Sequence, residues 1–320
     1  MTAAGHERPW RDWRAAFAGP RLHHGWILSG RRGLGKGAFA VQAARELVAE
    51  PGVHQPSGDH PDVIVLTHLP KDTAEERKRD EGKPFELKRN ITVDQVREMQ
   101  RRLFTRPTLG SRRVVVIDPA DDLEKGAANA LLKSLEEPPV GTFFFLVAHR
   151  LGRLLPTIRS RCRILHFPRV EASELDAMLR REAPQADAAV RGAAIAAASG
   201  SPGVALEFVT LDLGEIHRLM GEIAENGDPD FARRGKLAET IGARPDRKRQ
   251  LAAIDLARAV TAARMHDTSL VDVPALTDTH AELVRLAAQA PTYNFDPGLL
   301  VMEIGTLLAS LAVPSAPVHG

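Results

Sequence analysis

Three features of the 320-residue sequence predict an α/β domain built on a parallel sheet, followed by an all-helical remainder. The first is the stretch Trp26 to Ala40, WILSGRRGLGKGAFA, which reads as a buried strand, a glycine loop and the start of a helix. The second is the alternation of apolar strand segments with amphipathic helices as far as Phe167, the pattern of a sheet covered on both faces. The third is the loss of strand signals from Glu171 onward, where Ala- and Leu-rich helical periodicity runs to Leu311.

Composition limits the function classes. With 43% apolar residues the chain can build proper cores, and its length suggests two or three domains. Lys and Arg total 43 against 41 Asp and Glu, a formal net charge of +2, so no overall basic field points to nucleic acid and any such contact has to be local. The single cysteine, Cys162, excludes an intrachain disulfide and fits a reducing, cytoplasmic compartment. No signal-peptide core and no run of about 18 apolar residues is present, so no membrane segment is expected.

The elements follow in order. Pro9 to Phe17 carries Trp10, Trp13 and Phe17 at helical spacing, which predicts a helix packed on the domain it precedes. His23 and His24 lead into the first strand; as strand neighbours they would face opposite ways and could not share a metal ion. Ala38 to Val48 is the helix after the glycine loop, ended by the turn-rich PGVHQPSGDHP, and Val63 to Leu66 is a strand. From Lys71 to Asn90, 7 basic and 6 acidic residues with few apolar anchors predict a solvated, mobile loop. Thr92 to Phe104 is an amphipathic helix opened by a capping box between Thr92 and Gln95, with Val93, Val96, Met99, Leu103 and Phe104 on its apolar face. Val114 to Ile117 is a strand ending in Asp118, Gly126 to Glu137 a helix closed by Pro138 and Pro139, and Thr142 to Ala148 an apolar inner strand. A helix over Leu151 to Arg159 and a short strand to Phe167 complete the first half. Two short helices, SELDAMLRREA and DAAVRGAAIAAAS, then end at the turn Gly200 to Gly203. Five or six helices follow, interrupted near Gly227 to Pro229, at Pro245, at Val271 to Pro274 and at Pro291 to Pro297, and the tail from Val313 is expected to fray.

The chemistry centres on the glycine loop. Residues Gly30 to Lys36 match G-x-x-x-x-G-K: Gly30, Gly33 and Gly35 free the backbone to turn its N–H groups on an oxyanion, and Lys36 adds a point charge. The next position should be Ser or Thr, whose hydroxyl holds Mg²⁺, and here it is Gly37. Asp118, at the C-terminal end of a buried strand, is placed as a Walker B carboxylate, but Pro119 follows where a water-polarising Glu would stand. The site is built for phosphate and damaged for catalysis.

The glycine loop, VVVIDPADDL, AANALLKSLEEPP, FFFLVAHR and TIRSRC, in this order and spacing, resemble the bacterial clamp-loader subunits of the AAA+ class. The resemblance covers residues 22–168 strongly and 169–206 moderately; beyond that it rests on length and helical character. It implies an AAA+ P-loop α/β domain over residues 1–168, a small helical lid over 169–206 and a helical collar over 207–320. It also implies assembly with delta and gamma/tau subunits into a five-membered ring that places the β sliding clamp on primed DNA. Within that family, Gly37, Pro119, Ala148 in place of a polar sensor, and Gly203 in place of a sensor arginine fit a non-hydrolysing member rather than the motor. Such a member lends the arginine of its SRC segment, here Arg161, to a neighbour's ATP. It requires no cofactor of its own beyond weak ATP or ADP binding. Many relatives carry a four-cysteine zinc module, but residues 49–62 hold no cysteine, and His54 and His60 alone cannot complete a structural site, so no zinc is expected. The rival readings are an ATP-hydrolysing clamp-loader motor, against which the missing metal and base groups argue, and a P-loop small-molecule kinase, which needs the hydroxyl at position 37 and leaves the last hundred residues unexplained.

Overall fold

The structure, a computed structural model, describes residues 6–83, 85–242, 247–265, 273–290 and 295–312. The expected interruption at Pro245, those at Val271 and Pro291, and the tail from Val313 lie outside the described residues. The chain divides into two compact units, Met1–Val170 and Glu171–Gly320.

In the first unit the elements are α1 (Glu7–Phe17), β1 (Gly25–Ser29), α2 (Lys36–Val48), β2 (Val63–Leu66), α3 (Thr73–Asp80), α4 (Val93–Leu103), β3 (Arg113–Ile117), α5 (Lys125–Glu136), β4 (Thr142–Ala148), α6 (Pro156–Arg159) and β5 (Arg163–His166). The five strands form one parallel sheet in the order β2-β3-β4-β1-β5. Because strand side chains alternate faces, the continuous apolar runs of the inner strands feed two cores. Ile27, Val115, Ile117, Phe144 and Leu146 point to one side, against Val96, Met99 and Leu103 of α4 and Leu131 and Leu135 of α5. Leu28, Val114, Val116, Phe145 and Val147 point to the other, against α2 and the tryptophans of α1. Trp13 is 1% exposed, and its ring meets Trp26 and Phe145 edge-on at 5.5 and 5.1 Å. The stripe expected in the first helix is thus the lid of this second core.

Four local expectations change. The charged stretch 71–90 contains α3, whose free amides are capped by Asp72 Oδ1 accepting from Ala74 and Glu75 N–H at 2.9 and 3.0 Å, so local capping organises a segment without buried anchors. The capping box at Thr92 and Gln95 forms as read, but Phe104, the C-cap of α4, is 89% exposed because the apolar stripe ends one residue earlier, at Leu103. Leu151 to Arg159 is not one helix. A 3₁₀ turn over Leu151–Arg153 is separated from α6 by Leu154 and Leu155 in extended backbone, the conformation that Pro156 imposes on the residue before it. His23 and His24 precede β1 and do not alternate as strand neighbours; their rings stack at 4.6 Å, His23 Nδ1 accepts from Gly25 N–H, and His24 Nε2 bonds Leu135 O at 2.9 Å.

The second unit holds α7 (Ala172–Glu182), α8 (Ala188–Ala198), α9 (Pro202–Thr210), α10 (Gly214–Asn226), α11 (Ala232–Ile241), α12 (Arg247–Arg264), α13 (Val273–Gln289) and α14 (Pro297–Ala309). The turn at Gly200 closes α8, but Ser201 then caps α9 with its hydroxyl on Val204 N–H, so the boundary expected at 206 falls inside a helix that packs on α7 and α8. Pro274 and Pro297 lie in the first turns of α13 and α14, where a missing N–H costs nothing, and so start helices rather than break them. A buried pair ties the later helices together. Arg234 donates to Asp228 Oδ2 at 2.9 Å and to Thr306 Oγ1 at 3.0 Å, and its stem fills the space that a side chain at Gly305 of α14 would need.

Candidate functional site

In a parallel sheet the loops at the carboxyl ends of the inner strands open one crevice, and here β1, β3 and β4 end together. They carry Gly30 to Lys36, Asp118 and His149 into that crevice. In the loop, Gly33 and Gly35 have φ of 80° and 73°, left-handed values that suit glycine, and Gly35 is the N-cap of α2. Gly30 has a different role from the one expected. Its N–H continues the sheet to Ala148 O at 3.2 Å, and a Cβ there would stand 2.7 Å from Phe167 O. Its lack of a side chain serves the close approach of the chain after β5.

Lys36 is 2% exposed and turned inward, with Nζ donating to Gly30 O at 2.7 Å and Arg31 O at 2.6 Å. Burial pushes its ammonium down to about 8, opposed by the nearby Asp118 and Asp121 carboxylates. Asp118 is raised above the usual carboxylate range by burial, with Lys36 opposing. The contact that governs the site is between Asp118 and Gly37: a Cβ built on Gly37 falls inside the van der Waals shell of Asp118 Oδ2. The carboxylate fills the volume that a Ser or Thr at this position would take. Gly37 is therefore more than a lost ligand, because Asp118 packs against the backbone that the loss exposes.

Two further residues complete the cluster. Asp121, 8% exposed on the 3₁₀ turn after β3, accepts from the His149 and Arg150 N–H groups at 3.0 and 3.2 Å and so braces the end of β4. His149 is pushed down to about 4 by burial and by the Lys36 charge, so the ring is neutral near pH 7. Ala148 is fully buried in the α4–α5 core and pairs with Ser29, and the first polar side chain past β4 is His149. Neither Asp121 nor His149 was singled out from sequence; the carboxylate two residues after Pro119 and the polar residue directly after TFFFLVA were the available signals. Gly203 is an exposed residue in the first turn of α9, in the second unit. His60 is held by Gln55 Oε1 at 2.8 Å and by Asp62 N–H at 3.0 Å, and among the described residues no group of three His, Cys, Asp or Glu is arranged to hold a metal ion.

Arg161 lies at the opposite rim. Arg163 pairs with Trp26 at the start of β1, and a Cβ on Gly25 would stand 3.1 Å from Arg161 O, so Arg161 is at the amino ends of the strands. At ~3.3 Å per residue, β1 alone separates it from the chain's own phosphate loop by about 15 Å. Its guanidinium does not reach out freely. Nη2 is 2.7 Å from Glu136 Oε1, and Nη1 donates to Thr157 O at 3.0 Å and to Ser160 Oγ at 3.3 Å. Cys162 beside it has its thiol pushed up to about 12 by burial and is no nucleophile.

Residues 5–171 match the family described as DNA polymerase III, delta subunit. The chain belongs to that family. It is 33% identical over 208 residues to the DNA polymerase III subunit delta' of Pseudomonas aeruginosa, covering 61% of this chain and 58% of the relative. To the delta' subunit of Escherichia coli K12 it is 33% identical over 204 residues, 60% of this chain and 56% of the relative. The matches thus span under three fifths of these relatives. A DNA polymerase III gamma-subunit-related protein of Thermotoga maritima aligns over 96% of this chain and 100% of its own, with a TM-score of 0.50 and 18% identity, a likeness of fold. Family and fold agree with the AAA+ arrangement of a parallel P-loop sheet followed by helices.

Proposed function

We propose that this chain is a delta-prime-type member of the DNA polymerase III clamp loader. It assembles with delta and gamma/tau subunits in the cytoplasm, takes part through the complex in placing the β clamp on primed DNA, and hydrolyses no ATP itself. The observation that carries the non-hydrolysing part is the Asp118 carboxylate seated against Gly37, in the space that the Cβ of a Mg²⁺-holding Ser or Thr would need. Phosphoryl transfer depends on metal placement and charge positioning, and with Pro119 after Asp118 neither the metal's hydroxyl ligand nor a water-polarising base is present. Weak ATP or ADP binding first requires Lys36 to leave the carbonyls of Gly30 and Arg31, so nucleotide is no required cofactor. Arg161, too far from its own phosphate loop, acts in trans on ATP held by the neighbouring subunit. There a planar, permanently charged fork suits γ-phosphate oxygens. The α-helical second unit supplies the lid and collar surfaces of the ring.

The test is assembly. Mixed with purified delta, gamma/tau and β clamp, the chain should co-elute from a sizing column with the ring subunits and confer DNA-dependent clamp loading. Elution as a free species that leaves loading unchanged would refute the reading.

A further inference from the structure

Arg159 ends α6, two residues before Arg161, and its environment is the reverse of its neighbour's. Its side chain is half-buried and its Nε is wholly buried, yet among the described residues no hydrogen bond or ion pair reaches any part of its guanidinium. Among the described residues two other arginines have a buried, unbonded Nε, but both are anchored through their terminal nitrogens. Arg113 donates to Asp62, Thr105 and Arg106, and Arg258 donates to Asp255 at 2.8 Å. Leaving a buried donor unpaired is costly; here that donor is Nε, while Nη1 and Nη2 are not buried and stay open to an acceptor that arrives. Among the described residues no acceptor reaches Nε. Glu136, the carboxylate at this rim, is taken by Arg161.

We propose that Arg159 is a second anion-binding arginine of this rim, receiving an oxyanion from the adjacent subunit when the ring closes. The inference rests on the ring reading of Arg161 given above. The chemistry required of the ligand is a planar or tetrahedral oxyanion able to accept two parallel N–H bonds, which either a phosphate of the neighbour's nucleotide or a neighbour's carboxylate provides. Arg161 enters the interface already paired, whereas Arg159 enters it unpaired. Loss of Arg159 should therefore be felt only in the complex.

The experiment uses the full chain as parent, Arg159→Ala, Arg159→Lys and Arg161→Ala. Melting temperature is measured on the free chain, affinity for the delta–gamma/tau assembly is measured with and without a non-hydrolysable ATP analogue, and DNA-stimulated ATPase is measured on the assembled complex with ATP. Both Arg159 variants should melt within about 2 °C of the parent, because no partner is lost, and should bind the assembly about tenfold more weakly, the scale of a lost charge-assisted bond. A loss confined to the nucleotide-bound state names the phosphate as the source; an equal loss in both states names a carboxylate. Parental affinity in Arg159→Lys and Arg159→Ala, at either melting temperature, would overturn the inference. If Arg161→Ala lowers ATPase while the Arg159 variants are silent, this inference alone fails. If all three are silent, the ring reading fails with it.

Discussion

Restoring the missing hydroxyl should not restore the enzyme. In Gly37→Ser the new Cβ enters the shell of Asp118 Oδ2, and the carboxylate that would have to move is largely buried and feels the charges of Lys36 and Asp121. Overpacking of a tight site costs about 1–3 kcal/mol, against which replacing glycine by serine in a helix returns a few tenths. A net loss of about 1–2.5 kcal/mol corresponds to a melting temperature lower by roughly 2–10 °C for a domain of this size. The double variant Gly37→Ser/Asp118→Ala removes the obstructing oxygen, so the two changes should couple favourably by about 1 kcal/mol or more in a double-mutant cycle. Differential scanning calorimetry and urea titration of the four proteins measure this, with ATP turnover read on the same samples. A Gly37→Ser protein as stable as its parent, or one that hydrolyses ATP, would refute the packing argument.

Three further expectations follow from the geometry. Arg161→Ala should keep fold and assembly, since a half-exposed pair with Glu136 contributes under about 1 kcal/mol, but should lower DNA-stimulated ATPase and clamp loading of the reconstituted ring, with Arg161→Lys no better; unchanged activity in an assembled ring would return Arg161 to ordinary surface charge. His149 titrates at about 4 in the folded chain and near 6.5 when unfolded, so the unfolded state binds the extra proton and stability should fall as pH drops from about 6.5 to 4. The share due to His149, about 2 kcal/mol at pH 4.5 after discounting for solvent screening of a partly exposed ring, should vanish in His149→Gln urea titrations; equal acid sensitivity in that variant would contradict the assignment. Metal analysis of unchelated protein should give far less than one equivalent of zinc, and a stoichiometric zinc whose removal unfolds the chain would show an unrecognised site.

The sheet was legible because its signals are strong and local. The apolar runs at Val63, Val114 and Thr142 and the capping box at Thr92 are each fixed by neighbours in sequence. What sequence missed is what distant residues decide. That Gly30 yields to Phe167, that Gly37 yields to Asp118, and that Arg161 folds back on Glu136 depend on chain segments roughly 25 to 140 positions apart. His149 was overlooked because a strand end is located only to within a residue or so, and a shift of one residue exchanges a core alanine for a site histidine. The helix in the charged stretch 71–90 escaped for another reason: capping and i,i+3 ion pairs such as Lys78 with Glu75 stabilise it, and such pairs leave no hydrophobic period to read.

The central claim, that this P-loop is packed rather than catalytic, is tested most directly by steady-state ATP hydrolysis of the isolated chain with Mg²⁺ and primed DNA present. The expected result is a rate equal to the buffer control, unaltered by Lys36→Ala. A turnover clearly above that control and abolished by Lys36→Ala would contradict it, and would mean that Asp118 leaves Gly37 to admit a metal.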